Sequence, residues 1–109
     1  MSIYDFFIKV GDTLPWIAAA LEDSEGPVSL AGAAVKFKMR LQGTTVLKVD
    51  GNAVVDDEPL AEVHYPWITA DTDTAGIYEA EWEVTFPSGA KLSFPNDRHL
   101  LVMVMAAVG

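Results

Sequence analysis

The sequence predicts an all-β fold, because its apolar residues recur at every second position in short runs that turn residues separate. Successive side chains of a strand point to opposite faces, so such a run has one buried and one solvent-facing side. The clearest run spans residues 77–86. Its apolar members are Tyr78, Ala80, Trp82, Val84 and Phe86, and they alternate with Glu79, Glu81, Glu83 and Thr85.

The turn that precedes this strand indicates a more specific architecture. Residues 71–76 read Asp-Thr-Asp-Thr-Ala-Gly and lead directly into Tyr78 and the alternating run. In immunoglobulin-like sandwiches, a tyrosine near the start of one strand donates its hydroxyl to backbone a few residues upstream, the tyrosine corner. We therefore expect Asp71, Asp73, Gly76 and Tyr78 to form such a corner. The predicted fold is an immunoglobulin-like antiparallel β-sandwich of about seven to nine strands.

Turn residues divide the rest of the chain into further short strands, at the spacing of a sandwich. The predicted strands span residues 4–10, 16–21, 35–41, 45–49, 61–67, 77–86, 90–94 and 99–106. The Asp50-Gly51-Asn52 and Pro87-Ser88-Gly89 segments predict hairpin turns. Residues 16–22 are rich in alanine, which favours helices, but we interpret them as a strand before the loop of residues 22–27. Trp16 and Trp82 are expected in the core.

Length and composition exclude several functional classes. A chain of 109 residues fits a single domain, residues 1–109, that buries roughly 65% of the surface of the unfolded chain. The 16 acidic and 7 basic residues give a net charge of −9, which argues against nucleic acid or an anionic membrane as a partner. The absence of cysteine excludes disulfides, thiolate metal sites and a cysteine nucleophile. The first residues lack the pattern of a secretory signal.

Two predicted strands carry opposite charges on their solvent-facing sides. Lys36, Lys38 and Arg40 lie on one strand, and Glu79, Glu81 and Glu83 lie on the other. We expect the two strands to be antiparallel neighbours whose side chains form a charge ladder. Each exposed pair contributes only about 0.2–1 kcal/mol, but the ladder specifies the register, because a slip by one residue would turn charges into the core.

The last strand is apolar on both faces, and this feature indicates an interface. One face carries Leu100, Val102, Val104 and Ala106. We expect Leu100, Val102 and Val104 in the core, because β-branched residues pack well in sheets. Leu101, Met103 and Met105 lie on the opposite face and form the candidate interface. Only one face of a strand in a two-layer sandwich lies in the core, so a partner protein is expected to cover the other. The alternative is that the N-terminal segment of the chain covers it.

The residues that could carry chemistry do not form a recognisable catalytic or metal-binding pattern. The acidic segments 56–58 and 71–73 could supply oxygen ligands to Ca²⁺, but Asp side chains in turns ordinarily bond nearby backbone amides. His64 and His99 are the only histidines, so a zinc site with three protein ligands would need carboxylates from separate loops. Neither Ser88 nor Ser93 lies in a Gly-x-Ser-x-Gly motif. We predict no catalytic residue, cofactor or metal.

A run of carboxylates and a pair of aromatic rings require separate consideration. Glu79 to Glu83 lie on an open strand face, which lacks the desolvation that raises the pKa of a glycosidase acid. Tyr65 and Trp67 share one strand face and would form a sugar-binding platform if they faced solvent, so a carbohydrate-binding module is the alternative from another class. Val63 continues the same face, which favours core packing of both rings.

Five segments together resemble a known family. They are Phe7-Ile-Lys-Val-Gly-Asp-Thr-Leu-Pro15, Leu30-Ala-Gly-Ala-Ala-Val-Lys-Phe-Lys-Met-Arg40, Val63-His-Tyr-Pro-Trp67, Asp71-Thr-Asp-Thr-Ala-Gly-Ile-Tyr-Glu-Ala-Glu-Trp82 and Phe94-Pro-Asn-Asp97. In this order and spacing they are similar to the N-terminal domain family of the phage baseplate upper protein, an immunoglobulin-like sandwich found in tailed-phage virions and prophages.

The resemblance implies a non-enzymatic structural module that helps attach receptor-binding appendages to the baseplate of the phage tail. Members with that adaptor role carry a long C-terminal extension, which does not follow Gly109 in this sequence. The resemblance therefore favours a small virion component of the baseplate or tail, with capsid decoration as the alternative. It implies other virion proteins as partners in a symmetric assembly, and no cofactor.

Overall fold

A computed structural model describes residues 4–108, and these residues form strands and one short 3₁₀ helix, Thr69–Thr72. The expectation of an all-β fold is confirmed. The strands are β1 Phe6–Lys9, β2 Ile17–Ala20, β3 Glu22–Asp23, β4 Gly26–Pro27, β5 Ala34–Leu41, β6 Leu47–Asn52, β7 Val54–Asp57, β8 Glu62–Tyr65, β9 Gly76–Thr85, β10 Lys91–Phe94 and β11 Leu100–Met105. The described part thus has eleven strands, more than predicted, because β3, β4 and β7 lie in segments that we expected to be loops.

The strands form three sheets within the described part of the chain. The largest has the order β1-β11-β9-β5-β6, and β10 also pairs with β9. The second has the order β2-β8-β7, and β3 pairs with β4 in a small ribbon. The prediction of a wholly antiparallel fold is wrong at one place, since β1 runs parallel to β11, with Phe6 opposite Val102. No hairpin joins these two strands, so the connection between them does not impose an antiparallel direction.

The pairing of β5 with β9 forms the centre of the largest sheet. It extends from Ala34 opposite Thr85 to Leu41 opposite Tyr78 without a shift of register. Along β9, the side chains from Tyr78 to Val84 alternate between buried and half-buried, as the sequence pattern predicts. One side of this sheet therefore faces the core.

The core lies between the two larger sheets. The Phe37 ring of β5 stacks on the Tyr65 ring of β8, with centroids 5.1 Å apart. Phe37 also contacts Trp82 of β9 at 4.9 Å and Trp67, which follows β8, at 5.5 Å. Aromatic pairs at these separations add to the stability that burial of their apolar surface provides.

The predicted hairpin turn at Asp50-Gly51-Asn52 is wrong, because these residues lie inside β6, where Gly51 is opposite Phe37. A Cβ atom at Gly51 would lie 2.7 Å from Cε1 of Tyr65. This position requires glycine because an aromatic ring approaches the backbone closely, and not because the chain turns. The chain instead turns between β5 and β6, and Ala53 alone connects β6 of the first sheet to β7 of the second.

Candidate functional site

The strand β11 presents two apolar faces of different exposure. Val102 and Val104 are almost completely buried in the core, as predicted. Leu101 and Met103, on the opposite face, are half-buried, and 43% of Met105 is exposed. One expected core position differs from the prediction, because Leu100 is only half-buried. Ala106, on the same face, is exposed beyond the end of the strand.

Neighbouring strands extend this apolar face on both sides. Met103 lies between Phe7 of β1 and Ile77 of β9, and residues directly opposite each other in a sheet share a face. Phe7 is 46% exposed and Ile77 is half-buried. We call the resulting surface the outward patch. It consists of Phe7, Ile77, Leu101, Met103 and Met105.

Residues 6–9 of the N-terminal segment lie beside the outward patch and do not cover it. From Phe6 to Lys9 the segment lies beside β11, within the sheet, and it adds Phe7 to the patch. The Tyr4 ring packs edge-on against the Phe7 ring, with centroids 5.6 Å apart. The alternative expectation, an N-terminal cover, is therefore wrong for residues 6–9, whereas Tyr4 contacts the patch at Phe7. Residues 1–3 lie outside the described part.

An ion pair fixes the start of β1 against β11. Arg98 donates from Nη1 to Oδ2 of Asp5 at 3.0 Å and from Nη2 to Oδ1 at 3.2 Å. The backbone N–H of Leu101 also donates to Oδ2 of Asp5 at 2.8 Å. Burial raises the pKa of Asp5, but the hydrogen bonds from Arg98 and Leu101 outweigh this effect, so the pKa is lowered. Sequence reasoning missed this pair, because the two charges lie 93 residues apart and no local pattern connects them.

The predicted charge ladder is present, because β5 and β9 are antiparallel neighbours, but not every charged side chain pairs with the residue directly opposite. Lys36, Lys38 and Arg40 lie opposite Glu83, Glu81 and Glu79, respectively. Arg40 Nε donates to Glu79 Oε1 at 3.1 Å, and Lys38 Nζ reaches diagonally to Glu83 Oε2 at 3.1 Å.

Lys36 and Glu81 depart from the expected pairing. Lys36 Nζ pairs with Asp50 of β6 at 3.5 Å, and no salt bridge within residues 4–108 includes Glu81. A long side chain can reach diagonal neighbours on two adjacent strands, so the register alone did not determine its partner. The hydrogen bond to Glu83 is the main cause that raises the pKa of Lys38.

The tyrosine-corner hydrogen bond is present at Tyr78, whose hydroxyl donates to the backbone carbonyl of Thr74 at 2.7 Å. Asp73 lies beside this turn, where it forms a salt bridge with Lys48 and accepts a hydrogen bond from the Thr74 hydroxyl at 2.9 Å. Gly76 leaves room for Leu41, whose Cδ1 would lie 2.8 Å from a Cβ atom at Gly76.

The expected role of Asp71 in this corner is wrong. Asp71 is buried and accepts hydrogen bonds from the Tyr65 hydroxyl at 2.8 Å and from the backbone N–H of Ile68 at 2.9 Å. Burial, followed by the hydrogen bond to Asp71, raises the pKa of Tyr65. The carboxylate therefore stabilises the segment between β8 and β9, and its partner is a core tyrosine that the turn motif did not identify.

The acidic segments that might have bound Ca²⁺ use their carboxylates within the protein. Asp57 accepts a hydrogen bond from the backbone N–H of Leu60 at 2.9 Å, and Asp56 lies 2.7 Å from Nδ1 of His64. Among residues 4–108, no group of three or more histidine or acidic side chains is arranged to hold a metal ion.

Within residues 4–108, no helix has the length and apolar character needed to cross a bilayer.

The aromatic residues distinguish between core packing and a sugar platform. Tyr65 and Trp67 are buried, so they do not form the solvent-facing platform that the carbohydrate-binding alternative requires. The expectation for Trp16 is wrong, because half of it is exposed and its ring stacks on His64 with centroids 4.2 Å apart. Ile17 faces the core. Neighbouring residues of a strand point to opposite faces, so the sequence could have placed Trp16 on the outer face once Ile17 was assigned to the core.

Comparison with models of known protein families gave no match, and comparison with curated proteins also gave none. The resemblance to the baseplate family therefore rests on the five sequence segments alone.

Proposed function

We propose that this chain is a non-enzymatic structural protein of a tailed-phage or prophage particle, an immunoglobulin-like module of the baseplate or tail that contacts another virion protein. The outward patch is the observation that carries the proposal. The five segments that resemble the baseplate family support the assignment to a phage particle and to its tail.

The order of the strands supports the immunoglobulin-like assignment. In variable-type immunoglobulin domains one sheet contains strands G, F, C and C′ and the other contains strands B, E and D. The order β11-β9-β5-β6 corresponds to the first set and β2-β8-β7 to the second. Tyr78 stands near the start of β9, which corresponds to strand F, and its hydroxyl bonds to backbone upstream.

The composition of the outward patch suits a contact with another protein. Phenylalanine and methionine are enriched in protein interfaces, while lysine and glutamate are depleted there. The flexible thioethers of Met103 and Met105 can adapt to an uneven partner surface. The charge ladder lies on the same side of the sheet, on β5 and on β9 beyond Ile77. Glu79 of the ladder lies opposite Leu101, so the ladder borders the patch at this end.

Substitution of Met105 tests the contact. Met105 and Val54 are both 43% exposed, but Val54 lies on β7 of the other sheet. Met105→Lys should reduce the amount of the protein in purified particles of the phage that encodes it, as measured by mass spectrometry, whereas Val54→Lys should not. Absence of the unmodified chain from those particles would contradict the proposed location, and equal incorporation of both variants would contradict the proposed surface.

A second pair of variants separates the two faces of β11. Met103→Lys should leave the isolated domain folded and block its incorporation, because Met103 lies in the outward patch. Val102→Lys should unfold the domain, because an unpaired charge would enter the core. If Met103→Lys unfolds the isolated domain as severely as Val102→Lys, both faces of β11 are internal and the patch is not a contact surface.

A further inference from the structure

The strand β1 forms one edge of the largest sheet, and within residues 4–108 no strand pairs with its other side. The N–H of Val10, directly after β1, donates to the carbonyl of Met105 at 2.8 Å. Successive N–H groups of a strand point in opposite directions, so the N–H groups of Phe7 and Lys9 face away from β11. A row of free backbone groups of this kind is a template for pairing with another strand.

The opposite end of the same sheet is protected against such pairing. There β6 carries the charged residues Lys48 and Asp50. The register of β6 against β5 also shifts between Met39 and Arg40. Charged side chains and irregular pairing both blunt the edge of a sheet. By contrast, β1 pairs with β11 without a shift and carries three successive apolar residues, Phe6 to Ile8, so its free edge is better suited to the addition of a strand.

The charge of Lys9 selects which strand can be added. All seven lysine and arginine residues lie within residues 4–108, and Lys9 is the only one of them without a salt bridge there. A lysine on an edge strand disfavours most partners, but it favours a strand with an acidic residue opposite. Asp5, four positions earlier in the same segment, is such a residue.

We propose that a second copy of this chain binds at the free edge of β1, with the two β1 strands antiparallel and a twofold axis at Phe7. In this register Phe7 faces Phe7 of the second copy, and Phe6 faces Ile8. Lys9 of each copy faces Asp5 of the other, so the segment from Asp5 to Lys9 is complementary to itself. Such self-complementarity is what a twofold interface requires.

The environment of Asp5 leaves room for Lys9 of the second copy. Asp5 accepts two hydrogen bonds from Arg98 and one from the N–H of Leu101. A carboxylate has about four acceptor sites, so one remains. Asp5, Phe7 and Lys9 are exposed, whereas Phe6 is half-buried and Ile8 is buried. The opposed residues therefore lie on the same face of the extended sheet, which the register requires.

This pairing places the outward patches of two copies side by side on one continuous sheet, with the two Phe7 rings at the centre. The inference does not rest on the proposed function, because it follows from β1 alone. Two strands of four residues bury less than the roughly 1,200 Å² of a stable interface. We therefore expect a weak dimer that forms at high protein concentration.

Sedimentation velocity of the isolated protein tests the association, from about 10 μM to about 1 mM, the range expected for a small interface. In about 0.15 M salt the repulsion between two copies of charge −9 is largely screened. Lys9→Glu should raise the dissociation constant by about tenfold or more, because two ion pairs become two repulsions. Lys91→Glu is the control, since it changes the net charge equally on the exposed strand β10, and it should leave the dimer intact.

Cysteine cross-linking tests the register, because the chain contains no other cysteine. Residues opposite each other in a hydrogen-bonded antiparallel pair have Cα atoms about 5.5 Å apart, within the range of a disulfide. Phe7→Cys should therefore form a disulfide dimer under mild oxidation. Met105→Cys is the control, since two β11 strands would be three strand spacings apart, about 14 Å, which is too far for a disulfide.

Three results would overturn the proposal. The first is a protein that stays monomeric over the whole concentration range. The second is an equal effect of Lys9→Glu and Lys91→Glu on the dissociation constant. The third is a disulfide yield for Met105→Cys that equals or exceeds that for Phe7→Cys, which would indicate that two copies meet through their outward patches. A monomeric protein would leave the proposed contact with another virion protein intact, because the incorporation of Met105→Lys tests that contact separately.

Discussion

Removal of the Tyr65 hydroxyl gives the sharpest test of how the core is stabilised. Tyr65→Phe keeps the ring that stacks on Phe37 and deletes only the hydrogen bond to the buried carboxylate of Asp71. Asp71 would retain the hydrogen bond from the backbone N–H of Ile68. Hydrogen bonds to charged groups contribute about 1.5–3 kcal/mol, so we expect the free energy of unfolding to fall by about 2 kcal/mol.

Tyr78→Phe is the control, because it removes a hydroxyl of the same chemistry from another buried ring. Its acceptor is the neutral backbone carbonyl of Thr74, and a neutral hydrogen bond contributes about 1 kcal/mol. In a domain of this size, 1 kcal/mol shifts the melting temperature by about 4–8 °C. Urea unfolding followed by tryptophan fluorescence would measure both losses, and equal m-values would show that the unfolded states are comparable.

The outcome that refutes this reasoning is a loss for Tyr65→Phe equal to or smaller than the loss for Tyr78→Phe. The charge of Asp71 would then add nothing to the strength of its hydrogen bond. A double-mutant cycle refines the test, since Asp71→Ala should cost less in the Tyr65→Phe background than in the unmodified protein.

The Tyr65–Asp71 hydrogen bond also predicts how the stability of the protein changes at alkaline pH. The pKa of Tyr65 is raised in the folded state by burial and by Asp71, so above about pH 10 the unfolded chain releases its tyrosine proton while the folded chain keeps it. The unfolded state then binds fewer protons, and stability falls as the pH rises through this range. Tyr65→Phe should show a smaller fall. An identical decline in both proteins would contradict the assignment.

Two further substitutions test contacts that only the three-dimensional structure shows. Asp5→Asn should lower the free energy of unfolding at pH 7 by about 1 kcal/mol, because it weakens the bonds from Arg98 and Leu101. The pKa of Asp5 is lowered in the fold, so its contribution is present above the unfolded value of 3.8 and is lost as the pH falls through the folded value. When the free energy of unfolding is measured at decreasing pH, the difference between Asp5→Asn and the unmodified protein should therefore become smaller. A difference that stays constant would argue against the ion pair. Gly51→Ala should cost about 1–3 kcal/mol in urea unfolding, because its methyl group would overlap the Tyr65 ring, and a neutral result would show that the ring can move.

The local pattern of the sequence determined most of the longer strands, and it determined the buried faces of β5 and β9. The alternation along residues 77–86 placed Tyr78, Trp82 and Val84 in the core, and the complementary charges of β5 and β9 predicted that these strands are antiparallel neighbours. Val102 and Val104 likewise face inward, as predicted. These features follow from the sequence because a strand has a period of two, so a few consecutive residues suffice to define its faces.

Only the tertiary structure decided which distant groups meet. The partner of Asp71 is Tyr65 and not Tyr78, because the hydrogen bond depends on where β8 lies relative to the loop before β9. Gly51 looks like a turn residue locally, but an aromatic ring from the opposite sheet makes it a strand residue. The parallel pairing of β1 with β11 similarly joins the two ends of the chain. Such contacts form between residues far apart in the sequence, and periodicity within a short window contains no information about them.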